Sequence, residues 1–161
     1  MPYSLSKLAL AGLLTTISHS LGHVGQGNRV GIPVKVNPNE FTETWHTRDK
    51  KKALKIHGAG FRAQDELTRQ LGASSMPKEA SLANAIYKAG YLLGVAKQVT
   101  GVDDDIDHIG KNTGSKTPTQ LSLIASILSD IHKSKHPDRK WDLGFWQSKN
   151  GAPGLRATIK Q

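Results

Sequence analysis

Between Lys7 and Arg29 the chain carries 21 consecutive residues without a formal charge. A helix of that length reaches about 30 Å, the thickness of the hydrocarbon core of a bilayer. In a chain of 161 residues, which has room for one compact domain, such a helix is either the centre of the core or a membrane element. The segment is not apolar all round. Leu8, Leu10, Leu13, Leu14, Ile17 and Leu21 cover most of it, while Gly12, Thr15, Thr16, His19, His23 and Gln26 fall on one stripe at the helical period. A stripe of that kind faces something polar, and the four-residue spacing points the imidazoles of His19 and His23 the same way.

The run His19-Ser20-Leu21-Gly22-His23-Val24 resembles the His-Glu-x-x-His motif of zincin metalloproteases. Its continuation, GQGNRVGIPVKV, is similar to the helix end and first strand that follow the motif in membrane-embedded zinc proteases of the site-two type. The likeness covers residues 10–65. It implies a zinc ion held by the neutral imidazoles of His19 and His23, and an extended peptide or protein as substrate. It departs from the family at Ser20, which stands where the catalytic glutamate takes a proton from water. The implied protein is therefore an inactive or weakly active metallopeptidase homologue, unless Glu43 or Asp65 replaces the missing base. A third ligand is required, and Asp65 and His57 are the candidates. The alternative is a helix whose histidines only hydrogen-bond to neighbouring helices.

The absence of cysteine excludes disulfides, thiolate zinc sites and cysteine nucleophiles. With 16 glycines and only 6% aromatic residues, close helix packing through small side chains is expected rather than a large aromatic core. The net charge of +9 is concentrated in residues 48–55 and 133–140. No aromatic residues interleave these runs and no nucleic-acid-binding motif accompanies them, so anionic lipid headgroups are the favoured partner over nucleic acid. Residues 5–28 read as an apolar helix that is membrane-embedded, which places the protein in a membrane or the cell envelope. As a secretory signal the same segment would be cleaved near Ser18-His19-Ser20, a reading that excludes the metal site.

The remainder predicts a single α+β domain over residues 1–161, mainly helical, with about five helices and two β-hairpins forming a small antiparallel sheet. Residues 30–36 and 41–47 form the first hairpin around Asn37-Pro38-Asn39, with Pro33 marking an edge where an extended peptide can pair. Residues 53–71 are helical, with His57, Phe61, Gln64 and Thr68 on one line, and Gly58 and Gly60 letting His57 approach the first helix. Ser74-Ser75-Met76-Pro77 breaks the chain before a helix over residues 79–99. The acidic run over residues 102–114 fails the calcium-loop template at His108 and Gly114, and reads as acids capping a short helix with Ile106 and Ile109 inward. Thr117-Pro118-Thr119-Gln120 reads as a capping box, followed by an apolar stripe of Leu121, Ile124, Leu128 and Ile131. The tail forms a hairpin around Asn150-Gly151, with Trp141, Leu143 and Phe145 opposite Leu155, Ala157 and Ile159. A non-enzymatic envelope or interaction protein with an apolar anchor and a basic surface is the second functional expectation.

Overall fold

A computed structural model of the chain describes residues 3–37, 42–73, 76–101 and 103–159. It is α+β and mainly helical: α1 Leu5–Val30, β1 Lys35–Asn37, β2 Thr42–Thr44, α2 Lys50–Gly72, α3 Pro77–Leu92, α4 Val95–Thr100, α5 Asp105–Thr113, α6 Thr117–Lys135, β3 Trp141–Gln147 and β4 Pro153–Ile159. Each long helix starts and stops for local reasons. Ser4 caps the start of α1 through Lys7 N, and Gly31, at φ 72°, ends it in the left-handed region that spares glycine a Cβ clash. The Asp49 carboxylate accepts from Lys51 N and Lys52 N at the head of α2.

The helix expected over residues 79–99 is two helices, because Gly94 adopts φ 65° and turns the chain between α3 and α4. The expected strand over residues 30–36 begins later, at Lys35, since Val30 still belongs to α1. Its partner pairs Thr42 with Asn37, Glu43 with Val36 and Thr44 with Lys35. The turn through Pro38 and Asn39, the strand position Phe41, the break at Ser74-Ser75 and the start of the acidic run at Val102 lie outside the described residues. The two hairpins do not join in one sheet. β1–β2 borders the end of α1, whereas β3–β4 packs on α2 and α6, so each is a separate two-stranded sheet. In the second, Trp141 pairs with Ile159, Leu143 with Ala157 and Phe145 with Leu155, the register that alternation along the two strands predicts.

Two layers enclose the interior. α3 packs between α1 and α6 in one layer, and α2, α5 and the β3–β4 hairpin cover its inner side. The apolar cluster of Phe61, Ile106, Leu123 and Phe145 lies between the layers, with Tyr91 and Leu92 packed against it. Around that cluster the interior is polar. α1 buries Ala11, Thr15, His19, His23 and Gly27, one residue per turn. α6 buries Thr119, Ser122, Ser126, Ser129, Asp130 and Lys133, while Leu121, Ile124, Leu128 and Ile131 are exposed. The apolar stripe of α6 is therefore the outward face, the reverse of the usual arrangement in a soluble bundle. Thr117 lies inside α6 with Lys116 at the N-cap and makes no side-chain cap, so the capping box does not form. Among the described residues no helix is long and apolar enough to cross a membrane.

Candidate metal centre

α1 and α2 cross at small residues, which brings the α1 histidines against the α2 backbone. A Cβ on Gly22 would stand 2.5 Å from the Ala59 carbonyl oxygen, and one on Gly60 would stand 2.5 Å from the His19 ring. The expected role for Gly58 and Gly60 is thus corrected. Gly60 makes room for His19 and Gly58 for the Gln147 side chain, not for His57.

His19 and His23 are each 1% exposed. His19 donates from Nδ1 to Gln64 Oε1 at 3.0 Å, and His23 donates from Nδ1 to the Ile56 carbonyl at 2.7 Å. Both outer nitrogens are thereby occupied, and both Nε2 atoms turn inward to the same carboxylate oxygen, Asp105 Oδ2, at 2.9 and 3.2 Å. The other oxygen of Asp105 accepts from His57 Nδ1 at 2.9 Å. His19, His23 and Asp105 offer ligand atoms that all lie within 4.8 Å of one another, and all three residues are buried. Two imidazoles with backed Nδ1 atoms and one backed carboxylate are a donor set suited to a divalent ion. Adjacent ligands of tetrahedral zinc are about 3.3 Å apart, given bonds of about 2.0–2.1 Å, so the spacing of the imidazoles from Asp105 fits the group.

Asp105 is the candidate ligand that sequence reasoning missed. The acidic run splits into different tasks. Asp104 caps α5 by accepting from Asp107 N, Asp103 pairs with Lys97 and Lys111, and Asp107 pairs with Lys97 and Lys116. Asp105 and Asp107 are both buried on α5 with Ile106 and Ile109, but Asp105 alone meets the histidines. That face was readable from the two isoleucines. Its meeting with α1 was not.

Asp65, expected as a third ligand, lies elsewhere. It accepts from Lys88 Nζ, from Asn84 Nδ2 at 2.8 Å and from Phe145 N at 2.6 Å, in a second buried network that Lys88 and Asn84 extend to Asp130. Asp65 sits two helical turns beyond His57 on α2, too far along the helix to reach the imidazoles. His57 is at the centre, but it orients Asp105. Lys133, counted in a basic surface run, is 1% exposed and pairs with Asp142.

The electrostatics follow from this burial. Loss of water would push the His23 imidazole down, but the Asp105 carboxylate beside it outweighs that and raises it to about 9. Burial would raise Asp105, but the His23 charge and the hydrogen bonds from the three imidazoles hold it well below the usual carboxylate range. Without a metal, a proton on His23 occupies the position facing Asp105. Burial pushes the Tyr91 hydroxyl well up, so it stays a neutral group, 3.0 Å from His19 Nε2. Aromatic rings wall the centre: Trp45 stacks on His23 with centroids 5.5 Å apart, and His108 stacks on His57 at 4.5 Å.

Asp105 and His57 line a cleft of about 440 Å³ together with Glu43, Trp45, Tyr91 and His108, while His19 and His23 are buried behind it and do not line it. Glu43 is thus brought to the site, from the middle of β2. Ser20 is half-buried on the flank of α1 and is not among the residues that line the cleft. No family model, curated protein or solved structure matches the chain.

Proposed function

We propose that the protein is a membrane-associated, zincin-like zinc protein with weak or vestigial metallopeptidase chemistry. One observation carries the reading: His19 and His23, a helical turn apart on α1, converge with Asp105 at ligand spacing beside an open cleft. His19, His23 and Asp105 would hold the ion, with His57 fixing the carboxylate, and a zinc ion there would supply the Lewis acid that polarises a carbonyl and acidifies water.

The chain's own groups supply the rest. Glu43 is the one carboxylate reaching the cleft from the strand side, and it serves as the proton acceptor that Ser20 cannot be, since a hydroxyl has neither the reach nor the basicity. Tyr91, held neutral, donates a hydrogen bond toward developing negative charge. The short β1–β2 ribbon beside the cleft offers an edge for an extended peptide. The test is cleavage of an unfolded protein substrate by the zinc-loaded full-length chain. Slow cleavage is expected, lowered about 10²-fold or more by Glu43→Gln and raised by Ser20→Glu. Zinc-loaded protein whose cleavage rate equals that of a His19→Ala, His23→Ala variant would refute the catalytic part.

The outward apolar faces of α1 and α6 favour a second reading, a non-enzymatic envelope or interaction protein in which the ion is structural. Zinc binding with no cleavage by wild type or Ser20→Glu is the result it expects.

A further inference from the structure

The layer formed by α1, α3 and α6 is turned inside out. α1 exposes Leu13 at 54% and Leu21 at 61%, α3 exposes Ile86 at 57%, and α6 exposes Leu121 at 61% and Leu128 at 62%. The same three helices bury Thr15, Asn84, Lys88, Ser126, Asp130 and Lys133. A helix in water pays no such penalty without a reason: large apolar side chains normally turn inward and hydroxyls outward. Contiguous exposed apolar surface of this kind marks a contact with a partner or a membrane.

We infer that the outer face of this layer contacts the acyl chains of an anionic bilayer. The three apolar rows lie side by side. Tyr3 Oη donates to Ser134 Oγ at 3.2 Å and Ser4 N donates to Glu79 Oε1 at 3.0 Å, which sets the starts of α1 and α3 beside the end of α6. The rows share one charge-free belt. Between Lys7 and Arg29 α1 has no charged residue; on α3 beyond Glu79 the only one is Lys88, and on α6 before Lys135 the only ones are Asp130 and Lys133, all three buried. Cations flank the belt at both ends, with Lys7, Lys78 and Lys135 at one and Arg29 at the other, beside Lys116, whose ammonium also pairs with Asp107. With the helices lying along the surface, an apolar face flanked by cations complements the acyl chains of one leaflet beneath its anionic headgroups.

A second copy of the chain would need no cations at both margins. The modest hydropathy of each helix taken whole reflects its inward groups, which the lipid does not meet; bundles in membranes place polar side chains inside in the same way. The inference rests on the membrane-associated part of the proposed function and is independent of the zinc site, so its test uses metal-free protein and its failure leaves the metal reading standing.

Full-length protein is floated with phosphatidylcholine–phosphatidylglycerol vesicles and compared with a Leu13→Glu, Leu128→Glu variant. Wild type is expected to float and the variant to stay in the dense fraction with an unchanged circular dichroism spectrum. Because the chain lacks cysteine, an environment-sensitive dye on Leu128→Cys gives a second readout that does not depend on the double variant folding. Its emission is expected to shift to the blue with vesicles, while the same dye on Glu66→Cys, on exposed α2 surface, does not respond. Wild type that stays with the dense fraction, or dye responses equal at the two sites, overturns the inference. So does a soluble dimer that the glutamates dissociate, which would assign the face to a second copy.

Discussion

Gly60→Ala isolates the contact that holds the metal centre together. The added methyl would stand 2.5 Å from Cε1 and Nε2 of His19 and 2.7 Å from Nδ1, where ordinary contacts need about 3.5 Å. Something must move by about 1 Å. The ring cannot swing away freely, since it is 1% exposed and held at its two nitrogens by Gln64 at 3.0 Å and Asp105 at 2.9 Å. Overpacking of this kind costs about 1–3 kcal/mol, and the helix-propensity gain of alanine over glycine offsets only about 1 kcal/mol. A lost buried hydrogen bond adds about 1–3 kcal/mol. The net expectation is destabilisation by about 1–5 kcal/mol, with zinc affinity lowered about tenfold to hundredfold as a ligand loses its orientation. Gly25→Ala is the control, because a Cβ there meets nothing within 4 Å and should stabilise α1 by about 0.5–1 kcal/mol. Urea denaturation and zinc titration of the three proteins give both quantities. Gly60→Ala as stable as Gly25→Ala, with wild-type zinc affinity, would refute the packing of α2 on the His19 ring.

Two further outcomes follow from buried charge. His23 is raised from 6.5 to about 9, so its pairing with Asp105 stabilises the metal-free protein fully below pH 6.5 and is lost as pH climbs through about 9; the loss should approach about 3 kcal/mol. Urea denaturation of the metal-free protein at pH 6 and pH 9.5 checks this, and equal stability at the two would contradict the pairing. Lys88→Met removes a fully buried ammonium from Asp65 and Asp130, leaving two carboxylates short of a partner, and should cost about 3–5 kcal/mol. A melting temperature within a degree or two of wild type would show that the network does not carry that weight.

Local pattern made much of the fold legible. The line of His57, Phe61, Gln64 and Thr68 is buried as its spacing implies, and alternation about the Asn150-Gly151 turn gave the register of β3 against β4. Periodicity identifies an amphipathic helix but not which side turns inward. For α6 that choice depends on Lys88, Asp142 and the Leu143 amide, which satisfy Asp130, Lys133 and Ser129 from other elements. The same limit hid Asp105. In the run Asp103-Asp104-Asp105 each carboxylate is an equally good cap on composition, and only the docking of α5 under α1, 86 residues away from His19 in sequence, separates them. Asp65 was the natural choice for a third ligand because it shares a helix with His57, yet a helix fixes position along its axis. Two turns beyond His57 it meets Lys88 instead.

The most direct test of the central claim is the zinc content of the purified, zinc-reconstituted protein after exhaustive dialysis, measured by mass spectrometry beside Asp105→Asn. The expected result is about one ion per chain in wild type, as a mononuclear site requires, and little or none in a folded Asp105→Asn. A folded wild type that dialyses to zero, or an Asp105→Asn variant that keeps its zinc, would contradict the account.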